Sequence, residues 1–190
     1  MPLGYLILSH LLGDFILQPS KLVKWKMKSK YGVFTHVAIH FVLILIVFLP
    51  YLLANQIWPL FAAIGLAIFH FLIDQSKINY DLKHDQKVKP FLVDQIFHFL
   101  TIFIAYLLLK DFVEPLAQTT FNQIYTEVRI TIFLSFTVLV STVVEVYYFQ
   151  RQREKNKNAK LRVNTDQMLT RILVLTGVYI VFMTLSYFLR

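Results

Sequence analysis

Apolar residues fall into six long runs along the chain, separated by short segments in which charged residues are concentrated. Most runs approach the ~20 residues that a helix needs to cross the hydrocarbon core of a bilayer, although the first and third are short. Because backbone polar groups must be satisfied inside lipid, runs of this length predict helices. We therefore predict an all-α, polytopic membrane bundle of about six transmembrane helices. The six runs cover residues 2–18, 34–54, 57–74, 90–109, 130–149 and 170–189.

The composition agrees with a single transmembrane bundle over residues 1–190. The chain is 57% hydrophobic and 16% charged, whereas soluble domains contain about 45–50% apolar residues. Residues 1–110 are predicted to form a four-helix core, and residues 111–190 add two further helices joined by a basic cytoplasmic loop at 150–165. The chain has no cysteine, which excludes disulfides, thiolate metal sites and cysteine nucleophiles.

Lysine and arginine are concentrated in alternate connections between the apolar runs. Fifteen of these cations lie in segments 21–30, 77–89 and 151–162, and only three lie on the opposite side. Cytoplasmic loops of membrane proteins are enriched in Lys and Arg, so we expect the basic connections to be cytoplasmic and both termini to be outside. This bias, together with anionic lipid headgroups, accounts for the net charge of +8. Nucleic acid is therefore not expected as a partner.

Four pairs of polar residues interrupt the apolar runs, and in each pair the residues are four positions apart. On a helix, residues i and i+4 project from one face about one turn apart, so each pair can direct two side chains to one place. Random placement predicts about one such pair, but four occur, and they use five of the six histidines. The pairs are His10 and Asp14, His36 and His40, His70 and Asp74, and Asp94 and His98.

The predicted topology brings all four pairs to one depth near the cytoplasmic ends of their helices. Ionisable groups within a membrane are costly and mark functional sites, and a bound metal ion offsets that cost. The eight paired residues are therefore predicted metal ligands. Hydrogen-bonded contacts between helices, or a proton relay, are the alternative interpretation.

Eight candidate ligands exceed the four that a tetrahedral zinc ion needs. We therefore predict two divalent ions bridged by an aspartate, and the mixed nitrogen and oxygen donors favour Zn, Mn or Fe. Some of the eight residues would then hydrogen-bond to ligands rather than bind metal. Gln18, Gln75 and Gln95 flank the pairs and are predicted to support the ligands in the same way.

Four further charged residues are candidates for roles around this site. Glu145, on the fifth apolar run, is a candidate catalytic base or ligand, or alternatively the salt-bridge partner of Arg171. Lys24, Lys77 and Arg171 lie at the predicted cytoplasmic rim. They could bind a substrate phosphate, or they could simply set the orientation of the bundle.

The opening HLLGDFILQPS, followed by HVAIH, HFLID and DQIFH, resembles an uncharacterised family of small bacterial integral-membrane proteins with an HLLGDF-x-LQ signature. The resemblance covers residues 1–110. The chain is also similar, more loosely, to bacterial inner-membrane metal-dependent hydrolases, which place His and Asp pairs on transmembrane helices. These resemblances imply a multi-pass protein of the bacterial inner membrane that is surrounded by membrane lipids.

Pattern and resemblance together favour a metal-dependent hydrolase that cleaves a phosphoester, ester or amide of a lipid or lipid-linked substrate. A membrane di-iron oxidoreductase is an alternative, but such enzymes typically use adjacent histidines, which this chain lacks. A transporter or membrane binding component for a metal ion or small solute is a third possibility. The apolar outer halves of the second, third and fourth runs argue against a path through the membrane. Whether the chain forms a homo-oligomer stays open.

Overall fold

The computed structural model describes residues 3–156, 159, 161 and 164–188. All regular elements in these residues are helical, which confirms the all-α prediction. Five helices are long and apolar enough to cross a membrane, and a sixth apolar helix, Leu3–Ile16, is shorter. Some predicted positions lie outside the described residues, namely the outer limits Pro2 and Leu189 and the cations Lys157, Lys160, Arg162 and Arg190.

The described residues form nine α-helices, six of which correspond to the predicted apolar runs, and a short 3₁₀ helix, Lys110–Phe112. Two of them, α1 and α8, contain a π-helical turn, at Leu12–Ile16 and Leu139–Val143 respectively. The helices are α1 (Leu3–Ile16), α2 (Ser20–Lys26), α3 (Lys30–Val47), α4 (Leu49–Leu53), α5 (Trp58–Asp81), α6 (Val88–Leu109), α7 (Thr120–Tyr125), α8 (Val128–Lys155) and α9 (Thr165–Phe188).

The second predicted run is divided into α3 and α4. Pro50 has no backbone N–H and cannot extend α3, so α3 ends at Val47 and Pro50 lies in the first turn of α4. Asn55 then closes the connection to α5 with a φ of 59°, a left-handed conformation that asparagine tolerates better than most residues.

Two helices continue beyond the runs that predicted them. Helix α5 ends at Asp81 rather than Asp74, and α8 ends at Lys155 rather than Phe149. Hydropathy marks only the part of a helix that lies in lipid, whereas the backbone hydrogen bonds continue into the polar segment. Residues 150–155 of the predicted basic loop therefore belong to α8, and α9 begins at Thr165.

Helices α1, α3, α5 and α6 pack together, and α2 lies against α3. Helix α8 packs against α1 and, through its last turns, against α6, while α9 packs mainly against α8. No residue in the apolar stretch of α9 is buried in the bundle. The six apolar helices thus form one bundle with α9 at its edge.

The described parts of the three basic segments lie at one end of the bundle, which we call the basic end. The Lys26 ammonium group contacts Asp74 near the end of α5. The Glu154 carboxylate accepts hydrogen bonds of 2.8 Å from the backbone N–H groups of Lys87 and Val88, at the start of α6. The extension of α8 therefore satisfies two free donors at the N-terminus of α6.

Apolar side chains close the opposite end of the bundle. Phe48, Tyr51 and Trp58 are almost fully buried there, and the rings of Phe48 and Trp58 are 5.0 Å apart in an edge-to-face contact. The hydroxyl of Tyr125 donates to the carbonyl of Val47 at 2.7 Å, which joins α7 to α3. We call this region the apolar plug; its buried members are Leu6, Ile44, Phe48, Tyr51, Trp58, Ala62, Ala63, Leu66, Ile102 and Leu116.

Candidate metal centre

The side chains of the eight predicted ligands meet in one buried cluster, two from each of α1, α3, α5 and α6. Every one of these side chains is 9% exposed or less. The four pairs, separated widely in sequence, therefore share one volume inside the bundle. We call this set the His/Asp cluster: His10, Asp14, His36, His40, His70, Asp74, Asp94 and His98.

A π-helical turn and a glycine bring Asp14 to the middle of the cluster. Asp14 lies in the π turn of α1, a local widening of the helix that is frequent at functional sites. The neighbouring residue, Gly13, faces the imidazole of His40, and a Cβ at this position would lie 2.5 Å from His40 Nε2. The absence of a side chain at Gly13 thus lets α1 approach α3 closely enough for Asp14 to contact the α3 histidines.

One carboxylate oxygen of Asp14 is surrounded by three imidazole nitrogens. Asp14 Oδ1 is 3.0 Å from Nε2 of both His36 and His40 and 3.6 Å from Nε2 of His70. The Nε2 atoms of His36 and His70 are themselves 3.1 Å apart. Ligands of a tetrahedral zinc ion are separated by about 3.3 Å, so these donor atoms have the spacing of a coordination shell.

The second part of the cluster contains buried polar atoms without hydrogen bonds. His98 Nε2 lies 3.5 Å from Asp94 Oδ1, but neither atom has a hydrogen-bond partner among the described residues. His98 Nε2 is also 3.8 Å from Asp74 Oδ1. Unsatisfied buried polar groups are rare in folded proteins, and a cation between these atoms would satisfy them. The donor set therefore fits a divalent metal ion.

The candidate ligand atoms divide into three overlapping groups, within each of which all atoms lie within 4.8 Å of one another. Asp14 belongs to the first and third groups, and a carboxylate can bridge two ions because it has two oxygens. Asp14 is therefore the best-placed candidate for the predicted bridging aspartate. The groups are His10, Asp14, His40 and His70; His36, His70 and Asp74; and Asp14, Asp94 and His98.

Gln95 and Gln18, two of the three glutamines predicted to support the ligands, contact the cluster. The amide of Gln95 donates to Asp14 Oδ2 at 3.2 Å and to Asp94 Oδ2 at 3.1 Å, and its Oε1 lies 3.2 Å from His10 Nε2. The amide nitrogen of Gln18 is 3.0 Å from His36 Nε2.

The third predicted glutamine has a different partner. The amide of Gln75 donates to Asn79 Oδ1 at 3.1 Å, one turn further along α5. None of the described contacts joins Gln75 to the cluster. Gln75 follows Asp74 directly in sequence, so its side chain leaves α5 in a different direction from that of the aspartate.

Lys26, which was predicted only to help set the orientation of the bundle in the membrane, contacts the cluster. Lys26 Nζ is 2.5 Å from Asp74 Oδ2, and the lysine side chain is 9% exposed. Leu22 and Lys26 are both buried and lie four positions apart on α2. This i,i+4 spacing with a leucine is the sequence feature that could have indicated that Lys26 faces the bundle. Lys24, predicted to bind phosphate, lies on the exposed face of α2.

Lys77, also predicted to bind phosphate, lies at the edge of the cluster. Its Nζ is 3.6 Å from Asp94 Oδ2, and its side chain is 24% exposed. It follows Asp74 by three positions on α5, so the two side chains share a face of the helix. Lys26 and Lys77 thus approach the cluster from the basic end, each beside a different aspartate.

Glu145 and Arg171 bind each other. The Arg171 guanidinium donates to Glu145 Oε1, and the backbone N–H of Asn164 donates to Glu145 Oε2 at 3.4 Å. The sequence left two roles open for Glu145, and this arrangement favours the salt bridge, which fastens the start of α9 to α8. Among the described contacts, neither Glu145 nor Arg171 touches the His/Asp cluster.

A small cavity adjoins the cluster on the side of the apolar plug. The space available to the centre of a water molecule is about 20 Å³, which is enough for roughly one water. The imidazoles of His10, His40, His70 and His98 contribute to its lining. A water molecule therefore has room next to the candidate ligands.

Comparison with known proteins identifies a family but no characterised relative. Residues 3–128 match the family described as "Protein of unknown function (DUF3307)", and because this match covers well over half of the chain, the chain belongs to that family. The matched segment contains the whole His/Asp cluster as well as Lys26 and Lys77. No curated protein and no solved structure matches the chain.

Proposed function

We propose that this member of the DUF3307 family is an integral-membrane hydrolase whose His/Asp cluster holds two divalent ions. Its substrate would be a phosphoester, ester or amide of a lipid or lipid-linked molecule. One observation carries the proposal: five imidazole Nε2 atoms and three carboxylates converge in one buried volume. Divalent Zn, Mn or Fe at such a site would activate water and polarise a phosphoryl or acyl oxygen.

The contacts of His36 support metal binding over a network of hydrogen bonds alone. His36 Nε2 lies 3.0 Å from Asp14 Oδ1, 3.0 Å from the Gln18 amide nitrogen and 3.1 Å from His70 Nε2. A neutral imidazole nitrogen offers either one hydrogen or one lone pair, so it cannot satisfy three polar neighbours. A central cation would instead let the ring nitrogens and the carboxylate oxygen share one partner.

The chain's own residues have distinct roles in this proposal. Asp14 belongs to two of the three ligand groups and would join them through its two oxygens, and Gln95 holds the orientation of Asp14, Asp94 and His10. The cavity beside the imidazoles supplies space for the attacking water. Imidazoles of the cluster that do not bind an ion would be available to accept a proton.

Charge distribution supports a site that opens to the cytoplasm. The cluster lies near the basic end, and Lys and Arg accumulate on the cytoplasmic side of membrane proteins. We therefore propose that the basic end is cytoplasmic, that both termini are outside, and that the protein resides in the bacterial inner membrane. A substrate headgroup at the inner leaflet would then face the cluster.

The apolar plug favours an enzyme over a transporter. Phe48, Tyr51 and Trp58 are buried between the cluster and the opposite end of the bundle. A path for an ion would require polar groups along both halves of the membrane, and this end is filled by aromatic side chains. A hydrolase needs access from one side of the membrane only, so a closed opposite end is compatible with one.

Metal analysis of the purified protein tests the proposal. We expect about two Zn, Mn or Fe ions per chain after expression in supplemented medium, and a marked loss in the His40→Ala and Asp94→Ala variants. Turnover of phosphate or carboxylic esters should depend on the same ions. Fewer than ~0.2 ions per wild-type chain would overturn the proposal, since structural and catalytic sites of this kind bind their ions tightly.

A further inference from the structure

Two lysines provide most of the local charge that balances the aspartates of the cluster. Lys26 contacts Asp74 at 2.5 Å and Lys77 contacts Asp94 at 3.6 Å. With neutral histidines, three carboxylates and two ammonium groups leave one negative charge. Asp14 is the aspartate without a lysine contact in the described residues, and its neighbours are imidazoles and Gln95.

This balance changes when the cluster holds divalent ions. One ion reverses the net charge to +1, and two ions raise it to +3 if both lysines stay in place. The carboxylates then coordinate the ions, so the two ammonium groups lose much of their interaction with Asp74 and Asp94. Unpaired charges are unfavourable in a buried site, so the loaded cluster needs an anion at the positions of the lysines.

The aspartates that the two lysines contact share His98 as a neighbour, which favours a single anion with several oxygens as the common partner of the lysines. Asp74 and Asp94 both flank His98, at 3.8 and 3.5 Å from its Nε2, and each carries its lysine on the side of the basic end. A phosphate group has enough oxygens to contact two ammonium groups and an ion at once. Lysine is a common phosphate ligand because its ammonium group acts as a compact point charge.

We propose that Lys26 and Lys77 form a clamp for a phosphate group, exchanging their aspartate partners for phosphate oxygens when the cluster holds its ions. The inference rests on the proposed function and narrows its substrate class from phosphoesters, esters and amides to phosphoesters. The other cations considered for this role are less suitable. Lys24 is exposed, and Arg171 is bound to Glu145.

Phosphate binding to the full-length, detergent-purified protein tests the clamp without relying on turnover. Inorganic phosphate would be titrated into Zn- or Mn-loaded protein by calorimetry. We compare wild type with Lys26→Met and Lys77→Met, which keep most of the side-chain length but remove the charge. Lys24→Met is the matched control, because Lys24 lies on the same short helix as Lys26 but on its exposed face.

We expect each clamp variant to weaken phosphate binding by about tenfold or more, because each removes a charged hydrogen bond to the anion. Lys24→Met should stay within about twofold of wild type. Lys26→Arg and Lys77→Arg keep the charge and should retain most of the affinity. If one methionine variant fails to fold, the glutamine variant at the same lysine replaces it, and the methionine variant at the other lysine is still compared with wild type.

Unchanged phosphate affinity in both methionine variants would overturn the clamp, and so would an equal loss in Lys24→Met. Metal content measured on the same samples separates this result from failure of the proposed function. Wild-type protein without metal overturns the hydrolase, whatever the lysine variants do. Protein with full metal content and lysine-independent phosphate binding overturns the clamp alone.

A second arm distinguishes a lipid headgroup from free phosphate. The protein would be placed in nanodiscs of phosphatidylcholine with or without phosphatidic acid. If phosphatidic acid competes with inorganic phosphate and the competition requires Lys26, the clamp binds a headgroup. If only inorganic phosphate binds in a lysine-dependent manner, the clamp binds a soluble phosphate. Either result supports the clamp, and the difference between them identifies whether the bound phosphate group belongs to a lipid or to a soluble molecule.

Discussion

Gly13 of α1 lies directly against the imidazole ring of His40 on α3. A Cβ at Gly13 would be 2.5 Å from His40 Nε2 and 2.7 Å from Nδ1, which no unstrained structure accommodates. The contact fixes the separation of α1 and α3 at the depth of the cluster. It also connects packing with chemistry, because the same His40 Nε2 lies 3.0 Å from Asp14 Oδ1.

We expect Gly13→Ala to displace the His40 ring or to separate α1 from α3, which would destabilise the protein by about 1–3 kcal/mol and reduce its metal content. Gly65→Ala is the matched control, because no described atom beyond the backbone of its own helix and its chain neighbours lies within 4 Å of a Cβ at that position. Thermal unfolding in detergent and metal analysis measure both effects. Equal stability of the two variants would contradict the close contact.

Asp14→Asn should reduce metal binding more than any other single aspartate substitution. Asp14 contacts His36, His40 and His70 through Oδ1 and the Gln95 amide through Oδ2, so its charge serves both halves of the cluster. We expect fewer than about one ion per chain where the wild type holds about two. Asp111→Asn is the control, since its side chain is 78% exposed. Full occupancy in Asp14→Asn would refute the bridging role.

The buried pair of Lys26 and Asp74 should show strong energetic coupling in metal-free protein. Removing one partner leaves the other charge buried and unpaired, which typically costs about 3–5 kcal/mol. Lys26→Met and Asp74→Asn should therefore each be strongly destabilising, and the double variant should be less destabilised than their sum. A double-mutant cycle of thermal stabilities with chelator measures the coupling. The exposed pair of Lys110 and Asp111 should show almost none, and additivity at Lys26 and Asp74 would argue against their contact.

Two glutamines of similar sequence context should behave differently. Gln95→Leu removes the hydrogen bonds to Asp14 and Asp94, and loss of such supporting interactions typically lowers metal affinity by about 10–100-fold. Gln75→Leu removes only the bond to Asn79 and should leave metal affinity unchanged. Competition with a coloured chelator gives both affinities. A comparable loss in both variants would show that the two glutamines have the same role.

The absence of cysteine allows a direct test of orientation. Single cysteines at Lys28, near the basic end, and at Asn55, in the opposite connection between α4 and α5, can be labelled without background. In intact cells, a membrane-impermeant thiol reagent should label Asn55→Cys and leave Lys28→Cys unmodified until the cells are opened. The reverse pattern would place the cluster on the outer side and contradict a cytoplasmic site.

Local sequence patterns determined much of this architecture. Hydropathy located the six apolar helices because each apolar run is long enough to cross a bilayer. The i,i+4 spacing selected the eight cluster residues because that spacing places two side chains on one helix face, whatever the helix packs against. Loop charges added the expected orientation, so side and depth were predicted before any contact was known.

The tertiary structure decided which of the neighbouring polar residues join the cluster. The sequence pattern favoured Lys24 over Lys26 as a site residue and did not distinguish Gln75 from Gln95, but of these four residues Lys26 and Gln95 are the ones that contact the aspartates. That choice depends on the rotation of each helix and on how closely the helices approach. Both properties arise from contacts between distant segments, such as Gly13 against His40. Periodicity within one helix determines a face, whereas packing between helices determines what that face meets.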